Sequence, residues 1–181
     1  MPEQKLLMTE AQMDKTIKGM AQKIVDDGLQ EAVLVGIKTR GVPLAHWLSR
    51  HLAQITRKTP KVGELDINLY RDDLSEVAEQ PVVNKTEIPF DVGSCGIVLV
   101  DDVLYTGRTI RAALDALIDF GRPKFVKLAV LVDRGWRELP IQAEYTGKKI
   151  ETKADEVIKV MLQETDGKNE VLLKEHFSQR K

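Results

Sequence analysis

The chain has 181 residues, enough for one well-cored domain and short for two. Lysine and arginine number 27 against 28 for aspartate and glutamate, so a net charge of -1 excludes a polyanion binder held by bulk charge, though not a local basic patch. An ordinary 43% hydrophobic content, no apolar run near the ~20 residues of a membrane helix, and Cys95 as sole cysteine set aside disorder, a helical span, an internal disulfide and a cysteine-based zinc site.

Met1-Pro2-Glu3-Gln4-Lys5 lacks the basic start and apolar stretch of a secretory signal, so a soluble cytoplasmic protein without membrane partners is expected. Thr9, with Gln12 three residues on, fits a capping box in which each side chain satisfies an otherwise unpaired amide. Met13, Ile17, Met20, Ala21 and Ile24 then recur at helical spacing, and Gly28 offers a stop. That stripe reads as core contact, with a partner-binding face as the alternative. Ala32 to Ile37 is too short and too β-branched for a helix, and predicts a strand. Lys38-Thr39-Arg40-Gly41 follows it, and Pro43 begins a second helix whose buried side is marked by Leu44, Trp47, Leu48, Leu52 and Ile55.

Leu65, Ile67 and Leu69 alternate with polar neighbours from Glu64 to Tyr70, the pattern of a strand with one wetter face. From Arg71 to about Ser94 no period is sustained. So long an irregular stretch in a compact domain has a task, typically that of a lid, or else is a dispensable insertion. Ile97 to Val100 is a buried strand ending in Asp101-Asp102. A loop from Val103 to Arg108 leads to a helix marked by Ile110, Ala113, Leu114, Leu117 and Ile118 and closed by Gly121 and Pro123. Leu128 to Val132 is a further strand, ending at Asp133-Arg134. Short strands are then expected at 141–146 and 157–162, with Asp166-Gly167 turning the chain toward Val171-Leu172-Leu173. The fold class is α/β, a parallel twisted sheet flanked by helices and followed by a small β-rich appendage, in one domain spanning 1–181.

Ligands of open parallel sheets bind beyond the carboxyl ends of the strands. Three strands here end in charged or hydroxyl-bearing loops, at Lys38-Thr39-Arg40-Gly41, at Asp101-Asp102 through Thr109, and at Asp133-Arg134. Thr106-Gly107-Arg108-Thr109 stands where free amides and a helix dipole favour a phosphate, and Gly107 lets the backbone approach. No Lys-Ser/Thr pair follows a Gly-x-x-x-x-Gly spacing, so this is not a nucleoside-triphosphate loop. Two carboxylates just ahead of a phosphate nest make sense if they meet a sugar diol or a divalent cation. Together the parts describe a pocket for a phosphorylated ribose.

The string Val98-Leu99-Val100-Asp101-Asp102-Val103-Leu104-Tyr105-Thr106-Gly107-Arg108-Thr109 resembles the 5-phosphoribosyl-1-diphosphate (PRPP) signature of type I phosphoribosyltransferases. Its Val-Leu-Tyr-Thr-Gly-Arg-Thr form is similar to the branch that attenuates pyrimidine operons. Val35 to Gly41, Tyr70 to Leu74, Leu131 to Gly135 and Arg137 to Ile141 agree with it, and the resemblance covers about Thr9 to Leu162. It implies an enzyme that joins uracil to PRPP with Mg²⁺, giving UMP and diphosphate, the Mg²⁺ held mainly by substrate. Asp101 and Asp102 would hold the ribose hydroxyls and Thr106 to Thr109 the 5-phosphate, with Val103, Leu104 and Tyr105 also among the substrate-binding residues. Lys38 to Gly41 would form the diphosphate loop, where members often have a cis peptide before the residue matching Thr39. Arg40 and Arg71 would neutralise the leaving group, and a mobile loop over about 71–94 would exclude water. Asp133 and Arg134 would lie beside the base, under a hood over about 134–162. Members tend to form homodimers or homotetramers.

The branch also binds pyr leader mRNA when UMP is present. Gly19, Asp27, Trp136 and Gln142 stand where basic or histidine positions are expected, leaving Lys18, Arg137 and Lys148. The enzyme reading is thus favoured and the attenuator reading stays open, beside a purine-salvage phosphoribosyltransferase and a non-catalytic RNA-binding regulator. Elsewhere Trp47 reads as core, Trp136 as harder to place, and Cys95, His46 and His51 as packing or surface residues.

Overall fold

A computed structural model describes residues 4–72 and 85–175. The elements run β1 (Gln4–Thr9), α1 (Glu10–Asp26), β2 (Val33–Ile37), α2 (Gly41–Thr56), β3 (Val62–Leu65), β4 (Gly96–Leu104), α3 (Arg108–Ile118), β5 (Phe125–Asp133), β6 (Tyr145–Lys149), β7 (Glu156–Met161), α4 (Gln163–Asp166) and β8 (Glu170–Glu175), with 3-10 turns at Asn68–Tyr70 and Val92–Ser94. The strands form a five-stranded sheet in the order β3-β2-β4-β5-β6, parallel throughout, and a three-stranded antiparallel sheet in the order β1-β8-β7.

The strand period of two divides the core. Leu34, Val98, Val100, Ala129 and Leu131 pack with α1 and α2 on one face, whereas Val35, Ile97, Leu99, Leu128 and Val130 pack with α3 on the other. Met8, Ile158, Val160 and Val171 of the small sheet belong to the first of these clusters, so the hood is welded to the α1–α2 layer. Helix α1 matches its sequence pattern: Thr9 and Gln12 form the capping box, and Met13, Ile17, Met20, Ala21 and Ile24 are the buried residues. On α2, Leu44, Leu48 and Leu52 are buried as expected, while Trp47 and Ile55 only flank the core.

Four expectations need correction. The alternation from Glu64 to Tyr70 is a strand only to Leu65. Asp66 then accepts a bond from the Asn68 N–H at 3.1 Å, and this local turn diverts the chain before Leu69, which is 66% exposed. The strand carrying Asp101-Asp102 continues to Leu104, shortening the loop to Tyr105–Gly107. The hood is not a 134–162 unit: it consists of β1, β7 and β8, and β6 instead extends the parallel sheet. Buried Tyr145 anchors β6, Gly147 admits it against the Leu131 carbonyl, and its two lysines face solvent on the sheet edge. Finally, of the 71–94 stretch, 73–84 lie outside the described residues, and 85–94, though largely exposed, are tied to the domain at a few points. Glu87 pairs with Glu64, Thr86 accepts from the Asp66 N–H, and Val92 is buried.

Candidate active site

Three loops meet at the carboxyl ends of β2, β4 and β5. The registers Gly36↔Val100 and Leu104↔Asp133 place these ends side by side. A Cβ added at Gly41 would lie 2.4 Å from the Val100 carbonyl oxygen, so glycine lets the first loop settle directly on β4 beside Asp101. The peptide between Lys38 and Thr39 is cis. Gly107 takes φ +93° at the start of α3, and its missing Cβ clears Leu139 and Ile141.

The acid pair sits in the last turn of pleat of β4. Asp101 is buried, and its Oδ1 accepts the Asp102 N–H at 2.9 Å; Asp102 in turn accepts the Val103 N–H at 2.8 Å. Burial pushes both carboxyls above the ordinary range. The neighbouring Asp102 charge lifts Asp101 further, while Asp101 and the Arg40 guanidinium partly restrain Asp102. The helices beyond them, α2 and α3, have Arg40 and Gly107 as N-caps with no side-chain cap bond, so apart from the Arg108 N–H, which Thr106 takes, their opening amides remain available to an anion. Within the turn, Thr106 Oγ1 accepts the Arg108 N–H at 3.2 Å.

The segment 133–141 holds this turn from behind. Glu138 and Leu139 donate their N–H groups to the Thr106 carbonyl at 2.9 and 3.0 Å. Arg137 donates to the carbonyls of Tyr105 and Ile141, both at 2.8 Å, and pairs with Asp133 at 2.6 Å. Burial opposes the Asp133 charge, but the Arg137 guanidinium and the Gly135 N–H outweigh it and hold the carboxyl below its usual range. Arg134, nearly fully buried, lies over the Tyr105 ring at 4.0 Å, and its Nε has no partner among the described residues. A hollow of about 270 Å³ opens beside Asp133, Arg134 and Gly135, and another of about 330 Å³ beside Lys38, Thr39 and Thr165. A wider one of about 630 Å³, between the start of α1 and Trp47 and Arg50, touches none of the three loops.

Residues 6–165 match the family model described as a phosphoribosyl transferase domain. Curated relatives called bifunctional protein PyrR are similar over nearly the whole chain. That of Thermoanaerobacter sp. (strain X514) is 52% identical over 171 residues, 93% of this chain and 96% of the relative. That of Thermus aquaticus is 54% identical over 169 residues, 92% and 93% respectively. This chain belongs to the phosphoribosyltransferase family, in its PyrR branch. Its fold recurs in a solved hypoxanthine-guanine phosphoribosyltransferase from Bacillus anthracis str. 'Ames Ancestor', with a TM-score of 0.69 at 20% identity over 96% of this chain and 99% of that one. A hypoxanthine phosphoribosyltransferase from Staphylococcus aureus gives 0.64 at 19% identity over 82% and 79%.

In this phosphoribosyltransferase not every expected site residue faces the crevice. Thr39, Tyr105 and Thr109 are exposed beside it. Leu104 has its side chain in the core, and its carbonyl is taken by the Arg134 N–H at 3.1 Å. The Arg40 guanidinium, expected on the leaving group, instead bonds the Val160 carbonyl and Asp166, both at 2.9 Å. Arg108 pairs with Asp72 at 2.7 Å and Glu138 at 2.8 Å, so it is the main chain at this position that borders the phosphate turn. Lys38 is drawn to Glu64 at 3.3 Å and to the Lys85 carbonyl. Arg71 is exposed at the foot of the 73–84 stretch, while Asp73 lies outside the described residues.

Of the three cations assigned to RNA, Arg137 is engaged inside the site, whereas Lys18 and Lys148 are exposed. Asp27 accepts a bond from the Tyr145 hydroxyl at 2.9 Å, and Trp136 is 52% exposed with its Nε1 donating to the Thr152 carbonyl. His51 is buried with its Nε2 2.7 Å from Asp14, a partner 37 residues away that no local spacing could reveal.

Proposed function

We propose that the chain transfers the phosphoribosyl group of PRPP to uracil, giving UMP and diphosphate. The observation that carries this reading is the convergence of an uncapped helix start at Gly107, the acid pair of buried Asp101 and half-buried Asp102, and the Lys38–Gly41 loop on one sheet end. The turn at Thr106–Thr109 receives the 5-phosphate through main-chain N–H groups and threonine hydroxyls. Asp101 and Asp102 accept hydrogen bonds from the ribose hydroxyls, which stabilise the carboxylate charge that burial disfavours. The amides that open α2 meet the diphosphate, and uracil occupies the hollow beside Asp133 and Arg134. As the glycosidic bond to diphosphate loosens, positive charge grows on the ribose and the two carboxylates stabilise it. No nucleophilic side chain is needed.

Among the described residues no group of three His, Cys, Asp or Glu side chains converges as a metal site. Asp101 and Asp102 offer carboxylate oxygens that would suit Mg²⁺ held mainly by the substrate, and the ion would supply positive charge toward the departing diphosphate. Radiolabelled uracil with PRPP and Mg²⁺ tests the reading: UMP is expected. Preference for hypoxanthine overturns the base assignment, and PRPP binding without product favours a non-catalytic regulator.

A second activity, UMP-dependent binding of pyr leader mRNA, is supported by the word bifunctional in the names of the relatives and by the exposed Lys18 and Lys148. Gel-shift titration against a leader hairpin tests it, with salt-sensitive, UMP-enhanced binding expected. Exposed Leu69, Ile118 and Phe120, on segments joined by the Tyr70–Asp119 bond, support assembly into a homodimer or homotetramer. No described helix is long and apolar enough to cross a membrane, and both activities act on cytoplasmic substrates.

A further inference from the structure

We infer that Asp166, in the hood, is a positioning residue for the diphosphate half of the reaction, acting through Arg40; the inference rests on the phosphoribosyl-transfer reading above. Arg40 occupies the position that opens α2, immediately before the glycine seated on β4. The direction in which the first α2 amides point therefore depends on how this residue is held. Its side chain spans the gap between the two sheets, with Nε donating to the Val160 carbonyl on β7 and Nη2 donating to Asp166 Oδ1, each at 2.9 Å. Two bonds from different nitrogens of one planar group fix its orientation as well as its place.

Asp166 is prepared for this before Arg40 arrives. Its Oδ2 accepts the Leu162 N–H at 3.0 Å, closing its own turn, and its side chain is only 11% exposed. Burial disfavours its charge, but the Leu162 N–H and Arg40 more than offset that, keeping it an anion. On the opposite side, Lys38 ties the same loop to Glu64 on β3. The loop is thus braced at both ends, by the parallel sheet and by the hood. A loop held this way keeps its main-chain donors aimed without reorganising as diphosphate leaves. It also keeps the guanidinium from collapsing onto Asp102, whose carboxylate is needed for the ribose.

Calorimetric titration with PRPP and with Mg²⁺-diphosphate, run beside the UMP assay and thermal melts, tests this on the full chain. Asp166→Asn should weaken both ligands about 10-fold, with uracil KM unchanged and kcat less affected. Asp166→Glu should recover most of the affinity, and in an Arg40→Gln background Asp166→Asn should add nothing further. Should Asp166→Asn fail to fold, Arg40→Gln alone, which leaves the Asp166–Leu162 turn intact, should show the same loss of diphosphate affinity. Unchanged or tighter ligand binding in folded Asp166→Asn or Arg40→Gln overturns the inference, even if the melting temperature falls. A native chain that binds PRPP but forms no UMP defeats the transferase reading while leaving the Asp166 comparison to be decided by affinity.

Discussion

Two kinds of carboxylate border the same crevice. Asp133 and Asp166 each meet an arginine and a backbone N–H, and are held below the ordinary carboxylate range. Asp101 and Asp102, a few ångströms of strand away, meet each other and their own backbone, and are pushed above it. The helix starts divide in the same way. The amides of α1 are closed by Thr9 and Gln12, whereas α2 and α3, which open on the crevice, carry no side-chain cap. Where the chain satisfies its polar groups it builds; where it leaves them short it awaits a ligand.

The sharpest way to break this contrast is Asp102→Asn. Turnover should fall by roughly 10²-fold or more while stability holds or rises, measured by uracil-to-UMP conversion and thermal melting. Near-normal conversion would remove the acid pair from the mechanism. On the paired side, Arg137→Ala should lower unfolding free energy by about 2–3 kcal/mol in urea titrations, because an ion pair and several carbonyl bonds go together. Since Asp133 has a depressed folded pKa, its stabilising contribution is full above the unfolded value and disappears as pH falls through the folded one. The gap between native and Arg137→Ala should therefore narrow in acid.

Asp101→Asn should do the opposite. A raised folded pKa means the buried charge penalises folding as pH climbs through that value. The variant should thus exceed the native protein in stability at pH 8, on the order of 1–2 kcal/mol. The advantage should shrink in acid, where both carry a neutral group; melting curves across pH check the sign. The smallest effect belongs to the closed helix start: Thr9→Ala should cost about 1 kcal/mol of stability and leave catalysis alone.

Much of this was legible locally. The α1 stripe, the strand cores at 33–37 and 97–100, and the glycine at the phosphate turn are properties of short windows, where residue spacing alone decides which face is apolar or which backbone is allowed. The first strand was not, because Gln4–Thr9 has meaning only against a partner more than 160 residues away. The strand expected at 141–146 was legible only in part: β6 starts at Tyr145 and runs to Lys149, and its place beside β5 depends on Leu131 and Thr16 meeting its glycine. The protein partners of the arginines were hidden for the same reason. Arg40 lies 126 residues from Asp166, and Arg137 lies 32 from Tyr105. A cation near an anion-binding motif is assigned to the ligand on local grounds, and the distant carbonyl or carboxylate that holds it shows only in the fold.

From its order of residues alone, this chain determined the α/β alternation, the phosphate turn and the acid pair, since hydrophobic period and backbone freedom act over a few neighbours. Which charges remained open to substrate was settled only by folding. Long side chains such as those of Arg40, Arg108 and Arg137 take whichever oxygen the packed elements bring within reach, and that competition exists only once the sheets and helices are in place.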